Sequence, residues 1–434
     1  MTQKTRRMFL KQGSAGVAGA ALTLAQASSR AYGANERIVI GLIGCGGRGT
    51  GLGRTFAGEK DAAVACVCDP DRNRAARAQK STGAQRAVAD MRKVFDDKSV
   101  NAVIVATPDH WHGPAAVLAC EAGKHVYVEK PCSHNIREGR LMVEAARRNR
   151  RVVQVGTQSR SNPPIREAMK MLADGVVGDI LAAKAFNSQR RANIGHAKPS
   201  KPPAGFDYDQ WLGPAPFVPY QSNRLHYHWH WWYDFGTGDI GNDGVHELDV
   251  ALWGLGVRGH PARVAGYGSK LFFDDDQQFP DTYNISYEYP PEGKGARKRL
   301  LIYEQRDWCP YHQEGHENGN VFYGTKGMMI LGKGSGYQLI GERNKPLGAK
   351  RFGLPTEPHV RDFLDAIKTG RKPNADIEIG HAAATLAHLG NIVCRLGRNV
   401  RFDPKTEKIL GDDEADKLVR RTYRQGHWAA PKGV

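Results

Sequence analysis

Gly44-Cys45-Gly46-Gly47-Arg48-Gly49 is the feature that most restricts how this chain can fold. The run from Arg37 to Ile43 before it is short and β-branched, which predicts a buried strand, and the residues after it favour a helix. In that setting the first glycine allows a tight turn, the second lets the backbone approach a pyrophosphate, and the third lets the helix pack on the strand. The segment therefore predicts a dinucleotide-binding βαβ unit. Its predicted cofactor contacts are Gly44, Gly46, Gly47, Arg48 and Gly49.

An acidic residue follows the next predicted strand at the spacing that ribose recognition requires. Ala62 to Cys68 is a second apolar run, and Asp69 follows it, twenty residues after Gly49. A carboxylate at this position accepts hydrogen bonds from ribose hydroxyls and repels a 2′-phosphate, so it favours NAD. Arg72 and Arg74 are close enough in sequence to leave NADP open.

Strand-like and helix-like segments continue to alternate as far as residue 157. The predicted strands are Asn101–Ala106, His125–Val128 and Arg151–Val155, and the predicted helices are Ala115–Ala122 and Arg137–Arg148. This alternation predicts a doubly wound parallel sheet, a Rossmann domain over residues 35–157, with its chemistry at the carboxyl ends of the strands. The cofactor contacts predicted at those ends are Thr107, Pro108, Asp109, His110, His112, Glu129 and Lys130. Asp109 could instead be a simple helix cap.

The pattern changes after Gln158, and 434 residues are too many for one ordinary core. A helix at Ile165–Ala173 is followed by strands that are mostly not separated by helices. These strands are Ile180–Gln189, Ala262–Leu271, Tyr283–Tyr289, Arg299–Tyr303 and Met328–Leu331. We therefore predict a second domain over residues 158–434 with an open, largely antiparallel sheet, which makes the chain an α/β protein. Residues 200–216 are rich in proline and predict a surface loop.

Glu129-Lys130-Pro131, with the glycine turn and Thr107-Pro108-Asp109-His110, resembles the glucose–fructose oxidoreductase / inositol dehydrogenase (Gfo/Idh/MocA) family. Three further segments are similar to its exported bacterial branch: Asp209-Gln210-Trp211-Leu212-Gly213-Pro214, Gly324-Thr325-Lys326-Gly327, and Gly380-His381 with His388-Leu389-Gly390-Asn391-Ile392. The resemblance extends over nearly all of residues 35–430. It implies an NAD(P)-dependent oxidoreductase of sugars, and a second domain with C-terminal helices whose sheet face commonly forms the subunit interface. A homo-oligomer, dimer or tetramer, is therefore expected.

A helix is predicted from Asn242 to Trp253, with Asn242, His246 and Asp249 on one face at about 100° per residue. The resemblance implies an acid/base histidine four residues after a carboxylate, and an acid that often follows it. His246 and Asp249 match these two positions. Asn242 stands where the carboxylate is expected, with Asp243 beside it, and this departure weakens the case for a simple alcohol dehydrogenation. The predicted catalytic residues are Lys130, His246, Asn242, Asp243 and Asp249.

Lys130 has the chemistry of a general base for carbinol oxidation, which must remove the hydroxyl proton as the C–H bond breaks. Burial and a positive nicotinamide ring nearby would both lower the pKa of its amine. His246 could share the proton. The competing interpretations are an ordinary surface lysine and a core histidine with satisfied hydrogen bonds.

The segment from His226 to Tyr233 is unusually aromatic, and four of the eight tryptophans fall between Trp211 and Trp232. His226, His228 and His230 would share one face of a strand, as zinc ligands can, but no carboxylate or cysteine spacing supports a metal, and none is predicted. A plain core segment stays open. A carbohydrate platform is favoured, because flat rings contact the C–H faces of sugars. Its predicted residues are His226, His228, Trp231, Trp232, Tyr233 and Tyr303.

The chain begins with a pattern typical of an export signal. Thr5-Arg6-Arg7-Met8-Phe9-Leu10-Lys11 precedes a short apolar stretch and Ala25-Gln26-Ala27, which predicts a twin-arginine signal peptide over residues 1–27. The expected partner is the twin-arginine machinery, which exports folded proteins, and the expected location is periplasmic or extracellular. Whether the signal is cleaved or retained as an anchor is left open.

Cysteine usage and charge argue against a disulfide-stabilised protein and against a nucleic-acid-binding protein. The seven cysteines are odd in number and show no Cys-x-x-Cys spacing, so we expect free buried thiols, including Cys66, Cys68 and Cys120. The formal charge of +17 comes from scattered basic residues, which indicates solubility and not nucleic-acid binding.

Outside the cytoplasmic membrane no pool of NAD is replenished, so an exported dehydrogenase must keep and recycle its cofactor. The leading prediction is an exported NAD(P)-dependent oxidoreductase of a sugar or sugar derivative with a tightly held cofactor. A first alternative is a redox-neutral glycosidase that oxidises the sugar, eliminates the aglycone, adds water and returns the hydride. A second is a non-catalytic protein that binds a sugar or nucleotide.

Overall fold

A computed structural model describes residues 37–291, 293 and 295–434 of the chain. The twin-arginine signal predicted for residues 1–27 lies outside these residues. Within them, no helix is long and apolar enough to cross a membrane.

The glycine turn leaves the first strand of a six-stranded parallel sheet. Its strands are β1 (Ile38–Ile43), β2 (Ala62–Cys68), β3 (Arg86–Val88), β4 (Ala102–Val105), β5 (His125–Val128) and β6 (Val153–Val155). The order across the sheet is β3-β2-β1-β4-β5-β6, and every neighbouring pair is parallel. The doubly wound sheet is therefore confirmed. Its order reverses between β1 and β4, where a ligand crevice opens at the carboxyl ends of the strands.

The helices of this part are α1 (Gly47–Ala57), α2 (Arg72–Thr82), α3 (Arg92–Phe95), α4 (Asp109–Glu121) and α5 (Ile136–Arg148). Sequence patterning placed the start of α4 at Ala115, but the helix begins six residues earlier at Asp109. Asp109-His110-Trp111-His112 is therefore the first turn of a helix and not a loop. The N-cap of α4 is Pro108 and no side chain caps it, so Asp109 is not the cap residue.

The second sheet contains ten strands in the described part of the chain. They are β7 (Ile180–Asn187), β8 (Arg263–Ser269), β9 (Thr282–Tyr289), β10 (Arg299–Arg306), β11 (Asn318–Gly324), β12 (Gly327–Gly332), β13 (Gly336–Gly341), β14 (Pro346–Lys350), β15 (Val400–Asp403) and β16 (Lys408–Ile409). Their order is β14-β13-β12-β11-β7-β10-β9-β8-β15-β16. Only the β7–β10 pair is parallel among these pairings, which confirms a largely antiparallel sheet.

Helices cover one face of the second sheet and bury alternate strand residues. The helices of this part are α6 (Pro163–Ala173), α7 (Tyr208–Leu212), α8 (Val245–Leu255), α9 (Glu357–Thr369), α10 (Ile377–Leu396) and α11 (Asp413–Lys417). Along β9, Tyr283, Ile285 and Tyr287 are buried at every second position, as a half-covered strand requires. The hydroxyls of Tyr283 and Tyr287 donate to Asn391 Oδ1 and the Leu386 carbonyl of α10 at 2.9 and 2.8 Å.

Three local features of the second domain differ in part from what the sequence suggested. The helix predicted from Asn242 to Trp253 is present, but its first residues belong to a π-helical turn, Ile240–Gly244, that continues directly into α8. The aromatic segment is not a strand, because His228–Trp231 form a 3₁₀ turn. Residues 200–216 are not only a surface loop, since α7 buries Trp211 and Leu212.

The free thiols expected from cysteine spacing are confirmed. All seven cysteines are unpaired, and five of them are buried, including Cys66, Cys68 and Cys120. Burial raises the pKa of the Cys120 thiol to about 12, which keeps it protonated and inert.

Candidate active site

A cavity of about 1170 Å³ opens at the carboxyl edge of the parallel sheet. The ends of β1, β2, β4 and β5 form its floor, and the aromatic segment and the π turn form one wall. Its volume exceeds that of an ordinary small-molecule pocket. It is therefore large enough for a dinucleotide together with a second small molecule.

The glycine turn leaves backbone open to this cavity. Gly44 has φ +92°, and a Cβ there would overlap the Ala106 carbonyl, so the tight turn requires glycine. A Cβ on Gly49 would overlap the Gly44 carbonyl. By contrast, a Cβ on Gly46 would meet nothing closer than 3.6 Å, and one on Gly47 would meet nothing at all. The first turn of α1 has no acidic residue and no side-chain cap, so its amides are free to bind phosphate oxygens.

Asp69 is held at the end of β2 by backbone amides. Its Oδ2 accepts from Cys45 N at 2.7 Å and its Oδ1 accepts from Asp71 N at 2.8 Å. Burial raises the pKa of this carboxyl, against the effect of those two hydrogen bonds. The side chain lines the cavity, so ribose binding through its remaining lone pairs stays a prediction. Arg74 also lines the cavity, whereas Arg72 does not.

Lys130 lies two residues after β5, with its amine directed to the π turn. Nζ donates to the backbone carbonyl of Asn242 and lies 3.3 Å from Asn242 Oδ1. Burial lowers the pKa of this amine, and the charges of Glu129, Asp243 and Asp109 oppose that shift. The amine is thus fixed at the floor of the cavity in a state that loses its proton more easily than an exposed lysine does.

Asn242 connects the Lys130 amine to the aromatic wall. Its Nδ2 donates to Asp239 Oδ1 at 2.8 Å and to the Tyr227 hydroxyl at 3.1 Å, which leaves Oδ1 directed to the amine. Asn242 lines the cavity from the π turn. The residue at the expected carboxylate position therefore orients Lys130 as a neutral hydrogen-bonding group.

The other residues that were predicted to act with Lys130 do not face the cavity, although Asp243 and His246 are close enough for their charges to interact with that of Lys130. His246, Asp243 and Asp249 do not line the cavity, because the π turn shifts Asn242 out of the α8 register. Asp249 is fully buried in a two-point ion pair with Arg160, at 2.9 Å from both carboxylate oxygens.

Asp243 and His246 are buried beside Lys333. The Lys333 amine forms an ion pair with Asp243, and although burial raises the pKa of this carboxyl, the Lys333 and Arg191 charges hold it below its usual value. Burial, with the charges of Lys333 and Lys130, lowers the pKa of His246 well below its usual value. Its Nδ1 has no hydrogen-bond partner among the described residues. A role for His246 in proton transfer stays a prediction.

The first residue of α4, which follows β4, presents a buried carboxyl. Asp109 Oδ2 accepts from the Thr237 hydroxyl at 2.7 Å, while its Oδ1 has no partner among the described residues. Burial raises the pKa of Asp109 to about 7. The hydroxyl of Thr107 is also buried and unpartnered in the described part of the chain. Both side chains line the cavity beside Lys130, where a bound cofactor could satisfy them.

Hydrogen bonds and ring packing hold the neighbouring strand ends in place, through Glu129, His112 and His110. Arg48 Nε donates to Glu129 Oε1 at 2.8 Å, which joins the glycine turn to the end of β5. His112 lies between the carbonyls of Pro131 and Thr107, at 2.6 and 2.9 Å. His110 does not line the cavity, because its ring is buried against Trp211 and Phe235. The prediction that it contacts the cofactor directly is not supported by this position.

Most of the predicted carbohydrate platform faces the core. Trp231 and Trp232 are buried in a cluster with Trp211 and Phe235, and Tyr303 is buried with its hydroxyl on Gln305. Tyr233 lines a different cavity, and His228 does not line this one. His226 does line it, together with three neighbours that strand alternation did not select: Tyr227, Trp229 and His230. The 3₁₀ turn changes which side chains face the cavity.

The end of the chain forms a wall that sequence patterning missed. Residues 424–428 line the cavity. Trp428 packs on Trp111 with ring centroids 5.9 Å apart, and the Arg92 guanidinium lies 4.7 Å from its ring. Arg424 Nη1 donates to Asp209 Oδ1 at 2.6 Å. No local spacing in the sequence links these residues to a nucleotide site.

One group of three possible metal ligands occurs in the described residues, away from the cavity: His260, His381 and Glu407. Glu407 Oε1 already lies 2.8 Å from a ring nitrogen of each histidine, and Arg140 donates to the same carboxylate. Although burial raises the pKa of Glu407, these hydrogen bonds hold it well below its usual value. The group links α5, α10 and the segment before β16 as a hydrogen-bonded cluster.

Comparison with known proteins identifies the family. A family model described as an oxidoreductase family with an NAD-binding Rossmann fold matches residues 38–157, and its C-terminal alpha/beta domain matches residues 166–289 and 343–430. The chain belongs to the Gfo/Idh/MocA oxidoreductase family. It is thus an enzyme of an NAD-binding family of sugar oxidoreductases, which confirms the resemblance seen in the sequence.

Individual relatives are distant. The scyllo-inositol 2-dehydrogenase (NAD(+)) of Bacillus subtilis is 25% identical over 342 residues, covering 74% of this chain and 85% of the relative. A glycosyl hydrolase family 109 protein of Saccharopolyspora erythraea is 32% identical over 161 residues, which are 35% of each chain. A levoglucosan dehydrogenase solved with NADH and levoglucosan has a TM-score of 0.64 at 18% identity, covering 84% of this chain and 99% of that one.

NAD fits the residues of the site. The open backbone at Gly46 and Gly47 would hold the pyrophosphate, Asp69 would hold the adenosine ribose, and the orphaned Thr107 and Asp109 atoms would face the nicotinamide end. NAD is therefore the cofactor of this family member, in agreement with the family model.

Proposed function

We propose that the protein oxidises a hydroxyl of a sugar or sugar derivative with Lys130 as the base, and that it acts outside the cytoplasmic membrane with a retained cofactor. The observation that carries this proposal is the buried amine of Lys130 at the floor of the nucleotide cavity. Burial lowers the pKa of this amine, which makes the neutral form that proton removal requires easier to reach than in an exposed lysine.

Bound NAD supplies the acceptor for the hydride that leaves the carbinol carbon. The chain supplies the remaining parts of the reaction. Lys130 Nζ removes the hydroxyl proton, and the two oxygens of Asn242 fix the direction of that amine. Tyr227, Trp229 and His230 form an aromatic wall beside the amine, against which a sugar would pack.

Export rests on the Arg6-Arg7-x-Phe9-Leu10-Lys11 pattern. Cofactor retention is supported by the C-terminal wall, since residues 424–428 add contacts to the nucleotide cavity. An aldose–aldose oxidoreductase from Caulobacter crescentus has the same fold, with a TM-score of 0.65 at 17% identity, and its name describes a two-sugar reaction that would regenerate a retained cofactor. Fractionation of cells expressing the parent and an Arg6→Lys, Arg7→Lys variant tests export, because only the parent should leave the cytoplasm.

A substrate screen on the purified protein tests the oxidoreductase proposal. The protein is mixed with NAD and with inositols, aldoses and anhydrosugars singly, and then with pairs of aldoses. NADH formation with a single sugar supports dehydrogenation, and product formation only from a pair supports internal recycling. No turnover with any of these compounds by NAD-loaded protein would contradict the proposal.

A redox-neutral glycosidase is the second candidate. Two observations favour it: Asn242 stands at the position where a carboxylate was expected, and glycosyl hydrolase family 109 proteins are among the relatives. Oxidation of a ring hydroxyl makes the neighbouring C–H acidic, a base takes that proton, and the aglycone leaves. Water then adds to the double bond and the hydride returns, so that a glycoside and water give a sugar and an alcohol. Aryl glycosides that release phenol without net NADH would select this function. Phenol release that requires stoichiometric NAD would exclude it.

We also propose assembly through the uncovered face of the second sheet. Leu300 and Tyr323 project from β10 and β11 on the side opposite the buried Leu301 and Phe322, and both are more than a third exposed. Such apolar side chains on a sheet face are typical of an interface. Light scattering of the purified protein should give a dimer or tetramer, and a Leu300→Glu, Tyr323→Glu variant should give monomers. A monomeric parent would contradict this assignment.

A further inference from the structure

A second cavity of about 650 Å³ lies next to the active site, with its own charge and lining. The segment before α5, residues 233–237, α10 and residues 417–422 surround it. Thr237 connects the two cavities, because it lines the second and its hydroxyl donates to Asp109, which lines the first. Asn391 of α10, another lining residue, donates to the Thr237 carbonyl at 2.8 Å.

Unpaired cations dominate this cavity. Arg395, Lys417 and Arg420 line it, and none has a carboxylate within 4 Å among the described residues. Arg395 instead lies 4.3 Å from the centre of the Tyr233 ring. Asp234 is the one carboxylate in the lining, and it lies outside ion-pair distance of all three cations. Four cations, Arg421 included, against the single carboxylate of Asp234, whose charge interacts with that of Arg395, leave a positive balance around this concave space that favours anions.

Two donor groups at the same cavity have no acceptor. Asn135 is 4% exposed, and its Oδ1 accepts from Glu138 N at 3.0 Å as the cap of α5, which leaves its Nδ2 as a donor. That Nδ2 has no partner in the described part of the chain, and neither does Nη1 of Arg421. The Arg421 side chain is 9% exposed, and its other nitrogens bind Glu138 and the His110 carbonyl. These two atoms can only donate, so an acceptor is needed to satisfy them; ring nitrogens of His134 and His388 in the same lining also lack a partner among the described residues.

We propose that this cavity binds a small multivalent oxyanion, either a phosphate group or a cluster of carboxylates on a small molecule. Arg395, Lys417 and Arg420 would supply charge, and Asn135 with Arg421 would supply buried hydrogen bonds, which are stronger when the acceptor is ionised. The occupant would contact the residues that hold Thr237, and through it Asp109.

Binding is measured by calorimetry and by thermal unfolding of the full protein with inorganic phosphate and with citrate, each against sodium chloride at equal ionic strength. We expect one site per chain for at least one of the two anions, and a rise in the unfolding midpoint beyond that given by chloride. The anion that binds more tightly identifies the chemistry. If neither anion exceeds the chloride control, the proposal is overturned.

Variants separate a built site from general charge effects. Arg395→Gln, Lys417→Gln and Arg420→Gln together should weaken binding at least about tenfold, because each removes a charge-assisted contact. Arg258→Gln, Lys326→Gln and Lys345→Gln remove the same charge from exposed positions outside the cavity and should leave binding unchanged. Equal loss in both triple variants would overturn the proposal.

Asn135→Asp provides the sharper test. It keeps the oxygen that caps α5, so folding without ligand should be preserved, but it replaces the orphan donor by an acceptor. Phosphate and citrate should then bind at least about tenfold more weakly. Unchanged affinity in this variant would show that the buried donors are not part of the site. Because no substrate is involved, failure here leaves the oxidoreductase proposal intact.

Discussion

At the scale of single residues, Lys130 carries most of the proposed chemistry. Lys130→Met keeps the length and the apolar stem but removes the amine, so kcat should fall by about 10²–10⁴-fold while NAD still binds. Steady-state kinetics and a fluorescence titration with NADH measure the two effects separately. Lys326→Met, which changes an exposed lysine outside the cavity, is the control and should behave like the parent. A Lys130→Met enzyme within about threefold of the parent would remove the amine from the mechanism.

Asp109 should make the stability of the protein depend on pH. Its folded pKa is about 7, above an unfolded value of about 3.9, so the folded state binds the extra proton. The contribution of Asp109 to the free energy of unfolding is fully present below about pH 4 and is lost as the pH rises to about 7. Above that pH, the free energy of unfolding is lower by an amount of the order of 4 kcal/mol. Burial is the cause, because the Oδ1 atom lacks a partner that would stabilise its charge.

Asp109→Asn tests this dependence. The amide keeps an acceptor for the Thr237 hydroxyl and carries no charge, so the variant should gain stability over the parent between pH 4 and pH 8. Urea unfolding of both proteins across this range gives the difference in unfolding free energy. All other carboxyls titrate in both proteins and cancel. A difference that does not change with pH would show that Asp109 is already ionised in the folded state at low pH.

At the scale of elements, different glycines of the glycine turn serve folding and cofactor binding. Gly44→Ala should destabilise the protein, because φ of +92° and the Ala106 carbonyl exclude a Cβ.

Gly46→Ala should fold normally, since the φ of Gly46 is −68° and no atom lies within 3.4 Å of the new Cβ. The added methyl group would, however, occupy the position expected for the pyrophosphate. We expect NAD binding at least about tenfold weaker in Gly46→Ala, by titration, at an unchanged unfolding midpoint. Unchanged NAD affinity would place the pyrophosphate elsewhere.

The same elements show what the sequence could predict. The ends of β1, β4 and β5 meet at one edge because right-handed crossovers fix their order, so Gly44, Thr107 and Lys130 could be grouped from alternation alone. The π turn could not be predicted, since one hydrogen-bond shift in Ile240–Gly244 leaves no mark in residue spacing. That shift decides that Asn242 and not His246 faces the cavity. The resemblance singled out Asn242, His246 and Asp249, and helical periodicity placed them on one face, but only Asn242 of the three lines the cavity.

At the scale of the whole molecule, the C-terminal tail packs back on helices of the nucleotide-binding part of the chain. Arg421 and Tyr423 donate to Glu138 of α5, and Trp428 packs on Trp111 of α4. These contacts join residues about three hundred positions apart, so no local sequence pattern predicts them. The tail reaches these helices only when the second domain is folded. The family fold therefore explains where NAD binds, and residues 424–428 of the tail add one wall to that cavity.

Trp428 should control how long the cofactor stays bound. Its ring is 40% exposed and packs between Trp111 and the Arg92 guanidinium at the rim of the cavity, so Trp428→Ala removes an aromatic wall without opening the core. We expect NAD to dissociate roughly tenfold faster or more, consistent with the loss of about 1.4 kcal/mol or more of contact. Stopped-flow displacement by excess cofactor analogue measures this rate, and the ratio of absorbance at 260 to 280 nm reports retention after purification. Trp428→Phe keeps an aromatic ring, so NAD should dissociate from it nearly as slowly as from the parent. Tyr311→Ala removes a ring that is 75% exposed and does not line the cavity, and it should leave the dissociation rate unchanged. Equal dissociation rates in the Trp428→Ala variant and the parent would show that the tail packs on the enzyme without holding its cofactor.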